Sequence, residues 1–443
     1  MTRRDLAVLV LACAAQFMVV LDVSVVNVAL PSLQADLGFD PVDLHWAVNA
    51  YALPFAGFLL LGGRLADLYG LRRAFVLGLA LFTLAGLAGG LAGGQGTLIA
   101  ARAVQGLGAA VLAPATLTVL STTVGEDARP RALAAWTAAG LAGGTSGNLV
   151  GGVLTDAFSW RWVLLVNVPV GVLLVVPALR LLPAGRRNRR LDARGAVLAT
   201  AGIASLTYGL AHAGAPSGGF VIVAGAVLVA CFVALQTRER SPLLPVRLLR
   251  IREVAVGNAA MLLAGACLNP MWYFLALSMR DLLHFGALRT GLGFLPHTLL
   301  TIVVGLHLTP RLMRRTANRT LVAAGALVAA SGFLWQSALT EDGGYLTGIL
   351  GPAVLISLGG GLLNTPLTAA VTSGVPAEDA GAASGLTNTA KQVGGALGLA
   401  VLVTLGGYGA AFLAIAGVLV LTAAAALLLP GRAPDALAPN TAA

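Results

Sequence analysis

The sequence predicts an all-α protein that crosses a membrane many times, and three observations carry that reading. Of 443 residues, 58% are hydrophobic and only 10% are charged, against roughly 25% charged in soluble domains. Apolar runs near the ~20 residues that a helix needs to span hydrocarbon recur along the chain. Arginines gather in the short segments between those runs. A single water-soluble core stops growing near ~250–300 residues, so a soluble fold of this length could not hide so much apolar surface.

The spanning-length rule yields fourteen runs: 6–30, 43–63, 74–94, 97–120, 132–154, 162–182, 195–212, 219–236, 254–279, 291–309, 320–339, 346–367, 381–405 and 408–429. The first follows Arg3 and Arg4 but is too long for the apolar part of a cleavable leader, so it is expected to stay as a span. The net charge of +10 would point to nucleic acid in a soluble protein. Here it reads as topology. With a cytoplasmic N-terminus and alternating spans, 24 of the 28 basic residues fall on the cytoplasmic side, Lys391 among them. Arg161, Arg280 and Arg289 fall outside, and Arg102 lies within a run. A missed helix would invert this bias downstream, so an even count with both termini in the cytoplasm is expected.

Two basic stretches flank the seventh and eighth runs: PAGRRNRRLDAR at 183–194 and RERSPLLPVRLLRIR at 238–252. The pair between them reads as an insert joining two six-helix halves. The expected organisation is a first bundle over 1–182, a basic linker with two additional helices over 183–252, and a second bundle over 253–430. A disordered Pro- and Ala-rich tail follows at 431–443.

Enzyme chemistry finds little support. The five histidines, His45, His212, His284, His297 and His307, are scattered, and Cys13, Cys231 and Cys267 sit singly in apolar runs. No GxxxxGK[ST] run occurs, which disfavours ATP-driven transport within this chain. No catalytic residue, metal or cofactor is expected.

The sharpest single residue is Asp22, within LDVSVVNVALP at 21–31. An acid deep in a span is costly and by default marks an ion pathway, although packing against a neighbouring helix would also account for it. The fifth run carries two rows of small residues, Gly143, Gly147 and Gly151 beside Gly144, Asn148 and Gly152, which read as close helix contacts or a sliding seam. Polar and aromatic residues within runs are candidates to line a substrate cavity: Asn27, Trp46, Asn49, Tyr51, Gln105, Trp272, Tyr273, Asn364, Asn388 and Gln392. Few further acids lie in the runs.

The segment GRLADLYGLRR at 63–73 resembles the signature between helices two and three of the major facilitator superfamily. Gly63, Leu65, Ala66, Asp67 and Gly70 match, and Arg72 fills a lysine position; Leu68 and Leu71 stand where basic residues are usual. ARAVQGLGAA at 101–110 resembles the fourth-helix motif through Arg102, Gln105 and Gly106. GNLVGG at 147–152 resembles the exporters' fifth-helix motif, with Asn148 in place of proline. SWRWVLLVNVPVG at 159–171, the string at 21–31 and AGAASGLTNTAKQVGGALGLA at 380–400 are similar to the fourteen-helix drug:proton antiporter branch.

The resemblance implies a major facilitator fold, with two six-helix bundles and two inserted helices. It implies a proton-coupled exporter of hydrophobic or amphiphilic small molecules, in a bacterial plasma membrane, acting as a monomer with lipid, protons and a small molecule as partners and no nucleic acid. It assigns proton coupling to Asp22 and Arg102. Gating falls to Gly63, Asp67, Gly70, Arg72, Gly147, Asn148, Gly151 and Gly152. A proton symporter importing a metabolite shares the fold and is the alternative.

Overall fold

The structure is a computed structural model and describes residues 2–41, 43–125, 128–183, 193–239, 242, 246–341, 343–373, 375 and 380–430. Among them there is no strand, and fourteen helical spans follow one another. The first six are α1 (Arg3–Leu37), α2 (Trp46–Tyr69), α3 (Leu71–Gly90), α4 (Gln95–Thr123), α5 (Arg129–Ala157) and α6 (Trp162–Leu181). Then come α7 (Ala193–Ala211), α8 (Gly218–Arg238), α9 (Arg252–Asp281) and α10 (Ala287–Met313). The last four are α11 (Asn318–Gln336), α12 (Leu346–Val371), α13 (Ala380–Val403) and α14 (Tyr408–Leu427). The expected spans recur in order. Most of the basic run at 183–194 and the tail at 431–443 lie outside the described residues.

Two differences have local causes. The first helix runs past its expected end at residue 30, because Pro31 is accommodated within it. It stops only at Gly38, whose φ of 66° is a left-handed cap that a side chain would resist. Its start is a capping box: Thr2 Oγ accepts from Asp5 N at 3.1 Å and Asp5 Oδ2 accepts from Thr2 N at 2.8 Å. Lys391, counted above with the cytoplasmic set, instead lies midway along α13.

The chain divides into two compact units, the first made of residues 1–244, 272–295 and 399–404, the second of 245–271, 296–398 and 405–443. In the first unit, α1 packs along α5 through the predicted glycine rows. A Cβ on Gly143 would stand 2.6 Å from Phe17 O, one on Gly147 2.6 Å from Ser24 Cβ, and one on Gly151 2.6 Å from Val25 O. The far end of the parallel row meets a different partner, the start of α10. A Cβ on Gly152 would stand 2.8 Å from Ala287 O, and one on Gly291 2.7 Å from Asn148 O. Lipid tails give helices no hydrophobic reason to associate, so close backbone packing has to supply the attraction.

The two inserted helices form a hairpin on the same logic. Gly202, Gly209 and Gly225 bring α7 and α8 together, and a Cβ on Gly225 would stand 2.7 Å from Leu206 N. Gly57 seats α2 against Thr200 of α7. Beyond that contact Trp46 packs on Tyr208 with ring centroids 6.1 Å apart, and Tyr208 stacks on His212 at 4.4 Å. His212 in turn reaches Asp43 at 3.7 Å. Outward-facing apolar side chains such as Phe220 and Leu173, 79% and 73% exposed, suit a hydrocarbon solvent and no aqueous one.

In the second unit α11 lies against α12 through Gly325, Gly332 and Gly359, and Phe333 stacks on Phe412 of α14 at 6.3 Å. Gly394 and Gly398 seat α13 against Leu262 O and Ala266 O of α9, each closer than 2.5 Å to a would-be Cβ.

Adjacent glycines on α5 give a direct test of the seam. Gly143→Ala forces a methyl onto backbone, whereas Gly144→Ala meets only Val20 Cγ1 at 3.5 Å, an ordinary contact. The first substitution is expected to cost about 1–3 kcal/mol, in the range of overpacked cores, and the second close to none. Thermal unfolding of the detergent-solubilised protein reads the difference, and equal midpoints for the two variants would refute the seam.

Candidate functional site

The centre of the first unit holds a closed polar network. Asp22 is the twentieth of the 35 residues of α1 and is 0% exposed, and Arg102 of α4 is 2% exposed. Asp22 Oδ2 accepts from Arg102 Nη1 at 2.6 Å. Its Oδ1 accepts from Gln105 Nε2 and from Asn167 Nδ2, both at 2.8 Å. Arg102 Nη1 also donates to Gln105 Oε1 at 2.8 Å, and its Nε donates to the Ala47 carbonyl at 3.2 Å. The guanidinium lies 4.5 Å from the centroid of the Tyr51 ring, a cation–π arrangement. Four helices, α1, α2, α4 and α6, therefore meet at one carboxylate and its partner.

Local sequence explains each placement. Arg102 and Gln105 are three apart on α4, so they share a face. Gly106, next along, has no side chain to hold α2 away: a Cβ there would stand 2.3 Å from Tyr51 O. Gly108 does the same toward α3, where a Cβ would meet Phe82 N at 2.5 Å. On α3, Gly86 leaves room for Gln105 Nε2, 3.4 Å from its would-be Cβ. Asn167 opens the second segment of α6, after a break at Val166. Pro169 causes that break, because its ring clashes with the carbonyl four residues back and it has no N–H to give.

A buried ion pair of this kind is not a stabilising ornament. Removing two charges from water costs several kcal/mol per ion, recovered only when the remaining hydrogen-bonding positions are filled. Here the carboxylate receives three donors, and the guanidinium meets three acceptors and a ring face.

Two braces flank the network. At one end Asp36 Oδ2 accepts from Trp160 Nε1 at 2.8 Å and from Arg161 Nη1 at 2.5 Å, while Arg161 Nη2 donates to Ala92 O at 3.1 Å. This ties the end of α1 to the α3–α4 and α5–α6 connections. At the other end Arg72 Nε donates to Leu182 O at 2.9 Å and Arg4 Nη2 to Leu181 O at 3.4 Å, both at the C-terminus of α6, where a cation answers unpaired carbonyls. Gly70 makes the pivot between α2 and α3 with φ 91°, a conformation that favours glycine. Gly63 and Asp67 fall in the last turns of α2, and the Asp67 side chain lies outside the described part of the structure.

Of the residues singled out from sequence, Asp22, Arg102, Gln105 and Tyr51 come together. Asn167, Ala47 and Asp36 were not singled out. Asn27 donates to Val23 O on its own helix at 3.3 Å, Asn49 is buried on α2, and Trp46 faces the inserted hairpin. Trp272 lies edge-on to Phe294 at 5.3 Å, and Tyr273 is buried edge-on to Phe274. In the second unit Asn364 donates to Gly360 O at 3.1 Å, Gln392 accepts from Asn269 at 3.2 Å, and Asn388 is exposed. Asn148 is 2% exposed and Gly147, Gly151 and Gly152 lie in the seams described above.

Fourteen helices, nine of the described ones long and apolar enough to cross a membrane, make this a polytopic membrane protein, and its first unit holds a buried ion pair. The chain belongs to the Major Facilitator Superfamily, whose family model matches residues 12–399. It is 56% identical to a cephamycin export protein of Amycolatopsis lactamdurans, over 90% of this chain and 85% of that one. It is 40% identical to a puromycin resistance protein of Streptomyces alboniger (92% and 83% covered). It is 33% identical to a lincomycin resistance protein of Streptomyces lincolnensis (90% and 84%). The fold is that of the POT family transporter PepTSo (TM-score 0.74, 16% identity, 97% of each chain) and of a D-xylose-proton symporter (0.70, 12%, 96% and 98%).

If the network acts as one unit, its members are not additive. Arg102→Gln alone strands a buried carboxylate, and Asp22→Ala alone strands a guanidinium; each is expected to cost about 3–5 kcal/mol, and the double variant clearly less than the sum. Thermal unfolding of the four proteins completes the cycle, and additive losses would show that the pair does not couple.

Proposed function

We propose that this protein exports antibiotic-like small molecules from a bacterial cytoplasm in exchange for protons, with Asp22 as the proton site. The observation that carries the reading is the buried Asp22–Arg102 pair, at which four helices meet. The names of the relatives, exporters and resistance proteins, support the direction and the class of cargo.

The mechanism follows from the network. With Asp22 ionised, its oxygens hold Arg102, Gln105 and Asn167. A proton arriving at Oδ2 removes the charge that offsets the guanidinium. Arg102 is then left with Gln105 Oε1, the Ala47 carbonyl and the Tyr51 face, too little for a buried cation. The protonated protein therefore favours another arrangement of α1 against α4. Substrate favours the arrangement with the pair intact. Each ligand then expels the other's state, and exchange results.

In this reading the bundles over 1–182 and 253–430 provide alternating access, as in other secondary transporters. The helices within 183–252 are an insert. Gly70, Arg72, the Asp67 position and the α5 seam at Gly147, Asn148, Gly151 and Gly152 set the gating. The protein works as a monomer in the plasma membrane, with both termini in the cytoplasm.

Inverted membrane vesicles with an imposed pH gradient test the proposal. β-Lactams, nucleoside antibiotics, lincosamides and lipophilic dyes are added and lumenal pH is followed. Wild type is expected to release protons with some of these compounds. Asp22→Asn, which keeps an acceptor toward Arg102, is expected to insert normally and release none. Full coupled efflux by Asp22→Asn would remove Asp22 from the mechanism, and proton-driven uptake of a metabolite by wild type would favour the symport alternative.

A further inference from the structure

Lys391 is the one lysine of the chain, and it stands twelfth among the 24 residues of α13. At 1.5 Å per residue that is ~16 Å from one end of the helix and ~18 Å from the other, the depth at which a cation is most costly. Its backbone has little freedom to move. A Cβ on Gly265 would stand 2.2 Å from Lys391 O, and Gly394 and Gly398 extend the same tight α9–α13 seam.

The side chain is half-buried. Its four-carbon stem cannot carry the ammonium from the helix centre to either membrane interface. A charged ammonium at that depth needs polar partners rather than lipid. Asn388, one turn back on the same face, is exposed as well, and neighbouring Gln392 accepts from Asn269 at 3.2 Å.

Among the described residues no carboxylate pairs with this side chain. Among the described residues of the second unit the acids are Glu253, in the first turn of α9, and Glu341, past the end of α11. No ion pair involves Lys391 among the described residues. In the first unit, Asp22 is already matched by Arg102. Lys391 is thus a basic residue at the midpoint of a span with no ion-pair partner among the described residues.

We propose that Lys391 is the receptor for an anionic group, a carboxylate, on the transported molecule. The proposal rests on the export reading above and narrows its cargo: the span-interior basic residue left unmatched among the described residues is Lys391, so the charge that completes it on the substrate is negative. A cationic cargo would face repulsion at the same point.

Proteoliposomes of the full chain with an imposed pH gradient test it, using a cephem antibiotic with a free carboxylate, its methyl ester, and ethidium. Lys391→Gln is expected to lower transport of the carboxylate roughly tenfold or more, the size of a lost charged hydrogen bond, while sparing the ester. Lys391→Arg is expected to retain most carboxylate transport. Unchanged carboxylate transport by Lys391→Gln overturns the proposal, as does an equal loss for every compound the wild type carries. So does a wild type that moves ethidium and not the carboxylate, although export then still stands. A wild type that carries none of the three removes the export reading and this inference with it.

Discussion

The first unit is organised by the difficulty of holding a charge where there is no water. Asp22 and Arg102 can be buried together only if every remaining donor and acceptor is answered, and each answer recruits another helix. Gln105 comes from α4 itself, Asn167 from α6, and the Ala47 carbonyl and Tyr51 ring from α2. The pair is thus a junction whose geometry depends on the relative positions of four helices. The reverse also holds, and a change of charge at the junction is felt by all four. A proton on one oxygen is a small event that can act on a whole bundle because the interior offers no solvent to absorb it.

Glycine is what makes such a junction possible. A 2.8 Å hydrogen bond between side chains as short as Asp and Asn requires the helices that bear them to lie close, and close approach in lipid depends on backbones that touch. Gly106 brings α4 onto α2, Gly108 onto α3, and the α5 row onto α1. The Asn148 row, one step around α5, meets the start of α10 instead. One helix therefore carries two seams with different partners. Because α1 carries Asp22, displacement along its seam with α5 and rupture of the ion pair are motions of the same helix.

Much of this was legible in the sequence, for identifiable reasons. Spans are legible because the bilayer imposes a length, and Asp22 and Arg102 because a charge inside a span is too costly to be incidental. Asn167 was not singled out, because an amide in a helix is one of many. The signal lay in the proline two residues on, which breaks α6 and leaves Asn167 at the start of a new segment. Asp36 was missed because a helix was expected to end near Pro31, and this one continues to a left-handed Gly38. Counting basic residues by side sent Lys391 to the cytoplasm, since a tally over loops has no place for a cation at a helix midpoint. Which neighbour each polar side chain faces is a matter of helix rotation, and one sequence does not determine rotation. Trp46 is the example, a polar-edged ring that packs against Tyr208 of the inserted hairpin.

The two units treat buried charge in opposite ways, and the contrast bears on mechanism. In the first, a cation and an anion are matched within the protein, and in the proposed mechanism a proton resets the pair. In the second, Lys391 at the centre of α13 has no ion-pair partner among the described residues, and in the proposed mechanism the cargo supplies one. A group matched internally suits a coupling ion, because protonation changes the protein's own contacts. A group left unmatched suits a cargo, because binding supplies a contact the protein lacks. An exchanger needs both kinds, since two ligands that stabilised the same state would travel together instead of in opposition.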